Sequence, residues 1–186
     1  MARIALRYQT AQDLFAACAS AAEDITAVPT RQSSVDFCRM LLAGPVPEEA
    51  ISFCAYLLPD RTAIWWGHEC LDQLAQLLDG YDLELLALVR QRLGEPARLA
   101  PHVFTSWRLA RQRSPAGWVA LAAGLEEGRG GDLELNPQVM PVGRAVQTGI
   151  LAGLARVAAA DRPEVLTAFA QMGLQLAETS YGGMAF

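Results

Sequence analysis

Segments rich in alanine and leucine, each opened by a proline or a capping side chain and closed by glycine or proline, follow one another along this chain with connections only a few residues long. That punctuation constrains the fold more than any other feature of the sequence. Apolar residues recur at helical spacing between the breaks, and helices joined so tightly must pack as antiparallel or crossed neighbours. The expected fold is all-α: a helical bundle or a short stack of helical hairpins with eight or nine helices.

The breaks place the elements. Ile4, Leu6 and Tyr8 alternate with polar neighbours, which allows at most a short edge strand, and Thr10 then caps a helix carrying Leu14, Phe15, Ala17 and Cys18. Ser34 caps a helix through Leu42 that Gly44 ends, and Pro47 with Glu48 and Glu49 opens a third that stops at Pro59. Asp60 caps a long helix bearing Ile64, Trp65, Leu71, Leu74 and Leu78, closed by Gly80, and 81–93 forms the next, closed by Gly94. Further helices are expected at 101–112, 115–125, 141–159 and 163–177. The irregular stretch at 126–141 mixes glycine, acid and proline, and too few residues follow it for an independent core. The chain is therefore expected to be one domain, 1–186, with a surface loop there.

Composition removes whole classes of chemistry. All fifteen basic residues are arginine. Without lysine there is no Schiff base, no pyridoxal-phosphate anchor and no P-loop lysine. The four cysteines, Cys18, Cys38, Cys54 and Cys70, stand 20, 16 and 16 residues apart with no CxxC pair, so a zinc knuckle is not expected. They read as small buried hydrophobes on apolar helix faces in a reducing compartment. The string around His68 lacks the second histidine of HExxH, since Asp72 stands there, and catalysis by His68, Glu69 or Cys70 is the minor reading beside a cluster at the edge of the core. His102, after a proline, reads as structural. No GxSxG or GxGxxG is present. No cofactor, metal or catalytic residue is expected.

The start of the chain lacks the apolar run of a signal peptide, because Gln9, Gln12 and Asp13 interrupt it, and Arg144, Gln147 and Arg156 argue against a membrane span in the apolar stretch that follows the loop. A cytoplasmic location is expected. Between 89 and 113 six arginines, Arg90, Arg92, Arg98, Arg108, Arg111 and Arg113, face a single acid, Glu95, whereas 47–88 carries eight acids and one base, Arg61. The net charge of -5 disfavours nucleic acid. Pairing between neighbouring helices, or a protein partner, suits such a polar surface better. Gly149 and Gly153 make a GxxxG spacing that lets another backbone approach, within the chain as the first reading and as a homodimer seam as its rival.

The least generic stretch is LLPDRTAIWWGHECL, residues 57–71. Neighbouring helix positions diverge by about 100°, so Trp65 and Trp66 cannot point the same way. Either both are absorbed into packing, or one is core while the other covers a neighbour or a partner at the rim. This segment resembles the LP-x-R-x-A-x-WW signature of a bacterial family of unknown function whose members are close to this chain in length. SPAGWVALAAGLEEG, PVGRAVQTGILAGLARVAA and AFAQMGLQLAE look like the same family's second half, so the likeness spans most of 50–178. It departs where Gly67 and His68 replace a small residue and a cysteine, and where the loop is unusually acidic.

The resemblance implies no catalytic residue. Some members stand near type VI secretion loci, which implies a cytosolic accessory or adaptor that binds a secretion component or effector, with Arg61, Trp65, Trp66 and Trp118 as binding candidates. An immunity or antitoxin protein that binds a toxic effector is the close alternative. An enzyme or small-molecule binder with a pocket near Arg61, His68 and Glu69 is the second.

Overall fold

The computed structural model describes residues 6–94, 114–128 and 140–180. Among them nine α-helices follow in order: α1 (Ala11–Ala17), α2 (Ala19–Asp24), α3 (Ser34–Leu42), α4 (Glu49–Leu57), α5 (Asp60–Asp72), α6 (Gly80–Gly94), α7 (Pro115–Gly128), α8 (Val142–Leu154) and α9 (Arg162–Ser180). A single 3-10 turn, Ala75–Leu77, separates α5 from α6. The described residues contain no strand, only an isolated bridge between Thr10 and Ser33. The all-α reading holds. The helix expected at 101–112, most of the surface loop, Ile4 and His102 lie outside the described residues.

Local chemistry explains most of the starts. Thr10 Oγ1 accepts from the amide of Asp13 at 3.2 Å while Asp13 Oδ2 accepts from the amide of Thr10 at 3.1 Å, a reciprocal capping box. The second helix start belongs to Ser33 rather than Ser34: Ser33 Oγ accepts from the amide of Asp36 at 3.1 Å. Ser34 is instead buried, its hydroxyl donating to the carbonyl of Tyr8 at 2.7 Å and its amide to the carbonyl of Gln9 at 3.0 Å, beside the bridge between Thr10 and Ser33. Pro59, not Asp60, holds the cap position of α5, and Gly80 opens α6 where the sequence suggested a stop. Cys18 is the hinge between α1 and α2 and only half-buried, not a residue on an apolar helix face.

One contiguous cluster of buried side chains runs from Ala11 to Ala177. At its centre is α4, all nine of whose residues are buried, the pattern of a helix packed on every side. The helices α3, α8 and α9 surround it, while α7 and α8 pack on each other and on α5. Trp66 stands where α4, α5 and α9 meet, fully buried, with Nε1 donating to the carbonyl of Phe169 at 3.0 Å.

Glycine permits the tightest crossings. A Cβ on Gly149 would lie 2.8 Å from the carbonyl oxygen of Pro115, and one on Gly153 would lie 2.5 Å from Leu71 Cδ2. The GxxxG face is thus used within the chain, as the first reading of the sequence had it. Gly149→Ala must push α7 from α8, because the atom it meets is backbone, and is expected to cost about 1–3 kcal/mol in urea unfolding.

Candidate functional site

The outward face of α5 is the one place where the sequence candidates come together. Successive turns of this helix present Arg61, Trp65, Glu69 and Asp72 away from the core, while Ala63, Ile64, Trp66, Gly67, Cys70 and Leu71 face inward. Trp65 is 41 % exposed and Trp66 is 0 % exposed. The divergence of adjacent helix positions therefore resolves as one core and one rim tryptophan. Trp66 offers no atom to a partner, so it leaves the set of binding candidates.

Polar ties to α6 frame the exposed indole. The Arg61 guanidinium donates to the carbonyl of Leu93, in the last turn of α6. Arg90 Nη2 lies 3.6 Å from Glu69 Oε1 and 3.8 Å from Asp72 Oδ2. Glu69 Oε1 is also 3.0 Å from His68 Nδ1, the histidine itself being buried. On α6 and α7, Arg92 comes within 4.0 Å of Glu126. Arg90 and Arg92, the described arginines of the basic stretch at 89–113, thus pair with acids of neighbouring helices. Trp118 stands apart on α7, half-buried, its Cβ beside Gly149. Of the four candidates, Arg61 and Trp65 share a surface, and Trp66 and Trp118 serve the packing.

Two thiols and one phenol are held in their protonated forms. The hydrogen bond with Cys38, whose Sγ lies 3.6 Å away, and burial push the Cys54 thiol well above 9.0. Burial first, then the nearby Glu69, pushes Cys70 up likewise. Burial, then the hydrogen bond to Asp24, raises the Tyr56 phenol above its usual 10.0. The folded chain keeps these protons at pH values where the unfolded chain has released them, so stability present below about pH 9 is lost as pH rises further. The urea midpoint is expected to fall steadily between about pH 9 and pH 10.5, and a flat midpoint across that range would contradict these burial effects.

Nothing in the local sequence announces the tertiary roles of two carboxylates, the buried Glu49 and the partly buried Asp24. Glu49 accepts from the Thr26 amide at 2.7 Å, from Thr26 Oγ1 at 2.6 Å and from the Ala27 amide at 3.3 Å. Asp24 Oδ2 accepts from Arg144 Nε at 2.9 Å, from Gln147 Nε2 at 2.6 Å and from the Tyr56 hydroxyl. Both tie residues 24–27 to the helical body. Their partners are more than twenty residues away in sequence, and no local motif announces them.

A family model described as a family of unknown function, DUF6931, matches residues 37–177. The chain belongs to this family. The match takes in α5 and its tryptophan pair, consistent with the uncharacterised family suggested by the sequence, and begins inside α3, so that α1 and α2 lie before it. No curated protein and no solved structure matches the chain. Among the described residues no group of three His, Cys, Asp or Glu side chains is placed to hold a metal ion, and no helix is long and apolar enough to cross a membrane.

Proposed function

We propose that this member of the DUF6931 family is a non-enzymatic interaction protein. It is an accessory or adaptor factor of bacterial type VI secretion, working in the cytoplasm and binding a secretion component or effector through the outer face of α5. The observation that carries the reading is the orientation of Trp65. A helix that buries its other tryptophan leaves this one 41 % exposed, between an arginine one turn before and a carboxylate one turn after. A rigid half-exposed indole bordered by charge is the kind of residue that anchors protein interfaces.

Two further features favour binding over catalysis. The thiols of Cys54 and Cys70 and the phenol of Tyr56 are driven away from their nucleophilic forms. Among the described residues, a shallow groove of about 460 Å³ beside α1, lined in part by Phe15, Ala16, Ile25 and Val28, carries no ionisable side chain. The secretion context rests on the family likeness of the LP-x-R-x-A-x-WW segment.

Affinity purification from the native bacterium, comparing wild type with Trp65→Ala, tests the proposal. One secretion protein or effector is expected to be retained by wild type and reduced about tenfold or more by the variant, at unchanged melting temperature. Retention of every partner by the folded variant would refute the α5 face as the docking surface. Capture of a toxin that the protein neutralises would move the reading to an immunity protein.

A further inference from the structure

We propose that Tyr56, Arg144 and Gln147 form a carboxylate-binding site, which this chain fills with its own Asp24. Three donors from two helices, the hydroxyl of Tyr56 on α4, Nε of Arg144 and Nε2 of Gln147 on α8, converge on the single oxygen Oδ2 of Asp24. Arg144 Nη2 also donates to Glu23 Oε2 at 2.7 Å and to the Ser20 carbonyl at 3.3 Å. Tyr56 and Gln147 are more than nine-tenths buried, and Gln147 Oε1 is buried with no hydrogen-bond partner among the described residues. A cationic guanidinium and two buried neutral donors aimed at one point fit an anion with a planar carboxyl group. The hydrogen bonds to Asp24 and Glu23 raise Arg144 further, so its charge is permanent.

The site and its occupant come from different parts of the chain. All three donors lie within the family match at 37–177, while Asp24 lies in the segment before it. The helical body thus carries the receptor and the N-terminal segment supplies the ligand. Asp24 is followed by Ile25, which is buried against the body. The ligand class is accordingly an aspartyl carboxylate on a segment whose next residue is apolar.

A receptor of this kind accepts a free carboxylate once its own is removed. The experiment is thermal and urea unfolding of the full chain carrying Asp24→Ala, in sodium formate or in sodium chloride of equal ionic strength. With a dissociation constant on the order of 10 mM, about 100 mM formate should raise the variant's folding equilibrium constant about tenfold, saturably. Chloride should not, and neither should formate when Arg144→Ala is added. Equal recovery in both salts, no recovery, or recovery that survives Arg144→Ala would overturn the proposal. Should Asp24→Ala fail to fold, hydrogen exchange on Arg144→Gln decides. Loss of protection confined to residues 19–27 supports the site, and unchanged protection or an even loss across all helices overturns it.

Discussion

Truncating Trp66 to alanine is expected to lower the free energy of unfolding by about 3–5 kcal/mol. The indole lies at the junction of α4, α5 and α9, so the cavity left behind is enclosed by three helices and cannot collapse without moving one of them. Gly173 shows how closely the walls approach: a Cβ there would stand 3.0 Å from both Trp66 Cζ2 and Cys54 Cβ. The substitution also removes the donor to the Phe169 carbonyl, which adds to the loss. Urea unfolding followed by far-ultraviolet circular dichroism measures it. Trp66→Phe retains most of the volume and should lose less. A loss under about 1 kcal/mol for the alanine variant would show that this junction is not where the core is made.

The second large effect is expected at Asp82. Its side chain is fully buried near the start of α6, where Oδ1 accepts from the amide of Ala116 at 3.0 Å and Oδ2 from Arg156 Nη1 at 2.9 Å. The same guanidinium nitrogen reaches the Leu77 carbonyl at 3.3 Å. One carboxylate therefore joins the start of α6, the start of α7 and the chain just after α8. Asp82→Ala leaves the buried Ala116 amide unsatisfied and takes the counter-charge from Arg156, and is expected to cost about 3 kcal/mol, the lower end for a broken buried pair because Arg156 remains partly in water. Asp82→Asn retains an oxygen for the amide and should cost less. Equal stability of wild type and Asp82→Ala in urea would contradict this role.

Most of the helices were legible because proline acts locally: it lacks the amide donor that a helix interior needs, so Pro59, Pro115 and Pro141 each mark a start. The ends were less so, because tertiary contacts decide them. The alanine-rich run after Leu154 has the propensity to continue α8 through 159, yet the helix stops at Leu154. Arg162 folds back there, donating from Nε to the Leu154 carbonyl at 3.0 Å and from Nη2 to those of Ala155 and Val157, and the chain turns so that α9 can lie on α4. The leucines at 74–78 likewise fail to extend α5, since the chain tightens into the 3-10 turn and Leu74 is drawn into the core.

The site was half legible. Adjacent tryptophans must diverge, and the choice between them was present in the helical phase, because Ala63 and Cys70 lie three residues before and four after Trp66 and mark the inward stripe. The Asp24 cradle was beyond reach of any local pattern, since its donors are separated from it by 32 to 123 residues.

The measurement that tests the central claim most directly is equilibrium binding of the purified secretion partner by calorimetry to two variants, Trp65→Ala and Trp66→Phe, each with its unfolding curve. The account predicts a double dissociation. Trp65→Ala weakens binding about tenfold or more at wild-type stability, and Trp66→Phe lowers stability with binding unchanged while folded. Full affinity in Trp65→Ala would contradict the assignment of the outer face of α5 as the surface through which this protein works.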